Sequence, residues 1–98
     1  GRVLPIFIKK IKGVLFEMKF LYAILDRVTG LFGAPFMQYN NATAKRYFQY
    51  IMEQSQMVAS DCALYCVGEY DEQEGVIVSK TPAEFVCNYE KEVVKDVK

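Results

Sequence analysis

The chain has 98 residues, of which 52% are hydrophobic and 14% aromatic. That is enough apolar material for one domain with a core, and it excludes intrinsic disorder over most of the length. Twelve Lys and Arg balance twelve Asp and Glu, and there is no histidine. The chain therefore lacks both bulk attraction to nucleic acid and the commonest general base and metal ligand, which argues against an enzyme.

The first seventeen residues stand apart. The chain opens with Gly1, Met18 is its first methionine, and a clean strand pattern starts directly after it. Lys12-Gly13-Val14 can be encoded with the purine-rich core of a bacterial ribosome-binding site at a suitable distance upstream of Met18. Residues 1–17 are thus expected to be a translated leader or a disordered extension, and residues 18–98 a single domain. The leader holds Arg2, Lys9, Lys10 and Lys12 against Glu17. Without it, 8 basic and 11 acidic residues remain, a net charge of −3. The apolar stretch Val3–Ile8 precedes its lysines and has no small-residue cleavage site after it, the reverse of a signal peptide. The longest unbroken apolar run, Phe20–Leu25, falls short of the ~18–20 residues that span a bilayer.

Lys19–Asp26 reads as a first strand, rich in β-formers and apolar enough to be buried on both faces. Thr29-Gly30 and Gly33-Ala34-Pro35 then punctuate a loop. Asn41 is the expected N-cap of a helix over Ala42–Gln54, with Ala44, Phe48, Ile51 and Met52 as its buried stripe. Residues 55–61 connect to a second strand, Cys62–Tyr70. Asp71-Glu72-Gln73-Glu74-Gly75 has hairpin character, and Val76–Ser79 returns. Thr81-Pro82-Ala83-Glu84 has the form of a second helix start: an N-cap, a proline at the first position and a capping-box glutamate. Phe85, Val86, Tyr89 and Val93 would be the apolar side of that closing helix.

The expected fold is thus α+β: a small two-layer β-α-β-β-α domain with a mainly antiparallel sheet and helices on one face. So few strands leave exposed edges, which makes a homodimer through edge pairing a physically sensible assembly. Three cysteines, Cys62, Cys66 and Cys87, are an odd set without zinc-site spacing. They read as free, buried thiols in a reducing cytoplasm.

Two stretches carry further information. Pro35-Phe36 precedes Asn40-Asn41-Ala42-Thr43-Ala44-Lys45-Arg46-Tyr47-Phe48, and Leu64–Asp71 is closed by Gly75. In type and order they resemble the nonstructural proteins of microviruses, the gokushovirus-like single-stranded-DNA phages, over about Met18 to Val93. One departure is Asn41, where that family usually has aspartate. The resemblance implies a phage accessory protein in the cytoplasm of an infected bacterium, binding single-stranded DNA during genome synthesis or packaging.

The residues that could carry such binding are Lys45, Arg46, Tyr47 and Tyr50 on the helix, with Tyr39, Asn40 and Asn41 at its start. Cations that track phosphates beside aromatics that stack on bases are what single-strand sites use, and a helix N-terminus receives phosphate. The competing reading is ordinary: tyrosines packing on strands and solvated surface charges. The net charge of −3 favours a different function, a non-enzymatic module that engages a viral or host protein. Glu69, Asp71, Glu72 and Glu74 lack EF-hand spacing and read as a solvated turn rather than a metal site. Nothing pairs a nucleophile with a base or forms a phosphate loop, so no catalytic residue and no cofactor is expected.

Overall fold

In the computed structural model the described residues are 8–11, 14–17 and 19–90. Strands β1 (Ile8–Ile11) and β2 (Val14–Glu17) pair with each other antiparallel, as a two-stranded sheet separate from the main one. Among the described residues no helix is long and apolar enough to cross a membrane.

The main sheet is built around β3 (Lys19–Asp26) and β6 (Cys62–Asp71), which run antiparallel along their whole lengths. On the other side of β3 lie two short strands, β4 (Leu31–Phe32) and β5 (Phe36–Gln38). Leu25 and Asp26 pair with β4, and Phe20, Leu21 and Tyr22 pair with β5. The two behave as one edge strand broken at Gly33-Ala34-Pro35, where proline removes a ladder donor while the Gly33 N–H still donates to the Ile24 carbonyl at 2.9 Å. The loop expected here is therefore partly sheet. Segments of two and three residues carry too little periodicity to be read from sequence.

Helix α1 (Asn41–Gln54) crosses one face, and a single turn, α2 (Gln56–Ala59), leads from it into β6. The N-cap is Asn40, one residue earlier than expected. The reason is reciprocal bonding: Asn40 Oδ1 accepts from the Thr43 N–H at 2.8 Å, and Thr43 Oγ1 accepts from the Asn40 N–H at 3.3 Å. With Asn41 as cap the third helical position would be Ala44, which has no oxygen to return the bond. Ala44, Phe48 and Met52 form the buried stripe, with Ile51 half-buried at its rim. They pack on Tyr22, Cys62, Leu64 and Cys66 of the sheet and on Ala59. Tyr22, Phe48 and Leu64 are the largest fully buried side chains.

The second helix does not form. Strand β7 runs unbroken from Val76 to Asn88, antiparallel to β6, so the architecture is α+β with a mainly antiparallel sheet and one long helix. The expected continuation to Val93 lies outside the described residues. Cys66 pairs with Glu84 but Gly68 pairs with Ser79, so residues 80–83 bulge opposite Val67 alone. The Thr-Pro-Ala-Glu signature sits at this bulge. Proline is tolerated there on an edge strand, and the pairing of Phe85 with Tyr65 and Cys87 with Leu64 outweighs a local preference of about 1 kcal/mol for a capped helix. Gly75, at φ +68°, closes the hairpin as expected, donating to the Asp71 carbonyl at 2.8 Å.

Phe48→Ala is expected to lower the unfolding free energy by about 3–5 kcal/mol, measured by urea denaturation. Asn40→Ala should cost about 1 kcal/mol and Asn41→Ala less as a cap, which distinguishes the two cap positions. A Cβ on Gly68 would lie 2.6 Å from the Val78 carbonyl oxygen, so Gly68→Ala should destabilise by pushing β7 off β6.

Candidate nucleic-acid interface

Thr43, Arg46, Tyr47 and Tyr50 fall three, four and seven residues along α1, so they line one stripe of the helix. With Gln38 of β5 they border an open groove of about 350 Å³. Gln38 also borders the adjoining depression, of similar volume, together with Lys19, Met37 and Tyr39. The two form one surface running along β5 and α1. It carries two cations and three exposed tyrosines, of which Tyr50, at 61% relative exposure, is the most open. Lys19 is held 2.9 Å from Glu72. Arg46 has no ion-pair or hydrogen-bond partner among the described residues.

The tyrosines differ in what holds them. Tyr47 tilts against Phe36 with ring centroids 4.9 Å apart, and Phe36 in turn stacks on Tyr22 at 6.1 Å. Its ring is thereby fixed by the sheet while one face stays exposed. Tyr39 and Tyr50 make no aromatic contact of this kind among the described residues. A ring packed on the sheet beside two more exposed ones is an arrangement on which successive bases can stack.

The other expected site residues lie elsewhere. Lys45 is about 100° around the helix from Arg46 and faces a shallow hollow with Phe48, Gln49, Cys87, Asn88 and Glu90. The Asn40 side chain is used by the cap. Asn41 Oδ1 accepts from the Tyr22 hydroxyl at 2.7 Å, so its amide oxygen is engaged with the sheet. Asn41 borders a separate cavity of about 420 Å³ with Tyr22, Cys66, Lys80 and Glu84. In it the Lys80 ammonium lies 3.5 Å from the Glu84 carboxylate. The structure thus brings together Arg46, Tyr47, Tyr50 and Tyr39, and separates Lys45, Asn40 and Asn41 from them. Lys19, Gln38 and Thr43 join the surface without having been expected: the pairing of β5 with β3 places Lys19 and Gln38 there, and Thr43 comes with the helical stripe.

The acidic hairpin is organised internally. Asp71 Oδ1 accepts from the N–H groups of Gln73 and Glu74, at 3.0 and 3.3 Å. Among the described residues no three Cys, Asp or Glu side chains converge as a metal-binding group. All three cysteines are free thiols. The Cys62 thiol donates to the Val58 carbonyl and the Cys66 thiol to the Gly68 carbonyl. Burial pushes all three thiols above their ordinary pKa, as it does the Tyr22 phenol, where the nearby Cys66 and Glu84 add to the effect. These are protonated groups of the core, unsuited to nucleophilic work.

A group whose pKa is higher in the fold contributes stability that is present below its unfolded pKa and lost as pH rises above it. With an ordinary thiol value of 9.0, the unfolding free energy should fall as the pH rises through that value and beyond it. In the same range Cys62 and Cys66 should resist alkylation until the protein unfolds. Rapid labelling of the folded protein would contradict this placement.

Residues 19–92 match the family described as phage ORF5 protein. No curated protein and no solved structure matches the chain.

Proposed function

The chain belongs to the phage ORF5 protein family, and on that premise we propose that it is a nonstructural accessory protein of a microvirus, of the gokushovirus-like kind, that binds single-stranded DNA. It acts without catalysing a reaction, in the cytoplasm of the infected bacterium, during genome synthesis or packaging. The observation that carries this reading is the surface along β5 and α1. There an Arg46 guanidinium without a partner among the described residues sits in one groove with Tyr47 and Tyr50, and Tyr39 follows in the adjoining depression. A guanidinium serves phosphate oxygens through a planar fork of donors, and tyrosine faces accept any base. The net charge of −3 over residues 18–98 makes such binding depend on this local surface rather than on a general field.

A second reading has its own observation. Phe32, Tyr65 and Phe85 form a row of edge-to-face rings, with centroids 5.4 and 5.6 Å apart, on the sheet face away from α1. Phe32, Phe85 and the neighbouring Leu31 are exposed. An apolar surface of this kind fits a viral or host protein partner.

Anisotropy of a labelled oligonucleotide titrated with the full chain at several salt concentrations separates the two. DNA binding should weaken steeply as salt rises, with a slope of about −0.7 per phosphate contact. Arg46→Ala should remove about one such contact, and Tyr50→Ala should cost about 1–3 kcal/mol of affinity. Both changes should leave stability within about 0.5 kcal/mol of the parent, since they lie on the surface. Lys45→Ala should bind as the parent does. Absence of binding at low salt would leave the protein-partner reading, and a loss on Lys45→Ala equal to that on Arg46→Ala would show that the surface is misplaced.

A further inference from the structure

The outer edge of β7 is open. It ends the strand order β4-β3-β6-β7, and among the described residues no strand lies beyond it. Edge strands in natural proteins are blunted by charges, prolines or bulges that stop other chains from adding to the sheet. In β7 those devices occur only in the second half, where residues 80–83 bulge and include Pro82. The first half, Val76-Ile77-Val78-Ser79, is regular and uncharged. Val76, Ile77 and Val78 keep 47%, 60% and 56% of their surface exposed. Three consecutive exposed β-branched residues on a bare edge are a pairing surface.

The charges flanking this segment select the partner. Glu72 and Glu74 precede it and Lys80 follows it. We propose that this edge pairs antiparallel with the same edge of a second copy, about a twofold axis at Ile77. In that register Ile77 faces Ile77 and Val76 faces Val78, while Ser79 meets the hairpin turn of the other copy at Gly75. Beyond the paired strands, Lys80 of each copy, at the start of its bulge, comes beside the hairpin turn that carries Glu74 of the other, twice over, as an isologous interface requires. Parallel pairing would instead set Glu74 against Glu74 and Lys80 against Lys80. The Lys80 ammonium already touches Glu84 at 3.5 Å, and with three donors it has capacity for a second carboxylate. Cross-strand opposite charges favour a register, and like charges oppose it. The twofold axis stands perpendicular to the sheet, so the joined sheets are continuous and both copies of α1 lie on the same face. This pairing is independent of the DNA-binding reading and stands or falls by its own measurement.

The test is the mass of the full chain in solution, by light scattering or sedimentation over a range of concentrations. The parent should appear at twice the 11.3 kDa chain mass. Ile77→Lys should be monomeric with an unchanged circular dichroism spectrum. Lys80→Glu and Glu74→Lys should each weaken the dimer by about tenfold, and combining them should restore it, because the exchanged charges again face opposite signs. A monomeric parent, an Ile77→Lys protein that remains dimeric, or a double variant that does not recover overturns the proposal. If Ile77→Lys fails to fold, the charge exchange decides alone, since both positions lie outside the core.

Discussion

The constraint on which the structure depends is the position of β6 between two partners. Its ten residues must satisfy their backbone groups on both sides, and they do so against β3 on one side and β7 on the other. Its side chains serve two faces as well. Cys62, Leu64 and Cys66 meet α1, while Ala63 and Tyr65 belong to the far face. A strand with this many obligations fixes its neighbours. β7 has to stay extended over thirteen residues to cover it, and α1 has to lie where Phe48 reaches Leu64. The site surface follows, because α1 and β5 meet along the opposite flank of β3.

This explains what the sequence made legible. Strand β3, helix α1 and the hairpin at Gly75 each declare themselves within a single window, through apolar runs, a stripe at helical spacing or a turn glycine. The stretch from Thr81 carries a conflicting local signal. Thr81, Pro82 and Glu84 are suited to start a helix, and nothing within that window shows that β6 needs a partner there. The non-local ladder decides the conformation, as tertiary context commonly does over weak propensities. Strands β4 and β5 were hidden for the opposite reason: they are too short to carry any pattern, and exist as strands only because β3 offers an edge.

The candidate surface divides along the same line. Arg46, Tyr47 and Tyr50 share a helical stripe, so their grouping follows from spacing alone. The separation of Lys45 from this stripe was also implicit in that geometry, since Lys45 lies about 100° from Arg46 on the side away from Tyr47 and Tyr50. The contributions of Lys19, Gln38 and Tyr39 come through β5 and its pairing with β3, which no local pattern announces. Phe36 holds Tyr47 in place for the same reason. The sequence thus exposes the half of the surface that one helix presents, and conceals the half that requires two strands to meet.

The bulge at residues 80–83 has a consequence for how the hairpin tolerates change. A long two-stranded ladder of β-branched residues can slide, and a slip of one residue exchanges its two faces. Here four residues stand opposite Val67, and Val86 is extra between the pairs at Leu64 and Tyr65, so the ladder consists of three stretches whose registers are set separately. The turn at Gly75 fixes the first, and the aromatic contact of Tyr65 with Phe85 anchors the second. The slack between them works as an expansion joint: a residue gained or lost there can be absorbed locally, without turning Phe85 inward or carrying Val86 out of contact with the core.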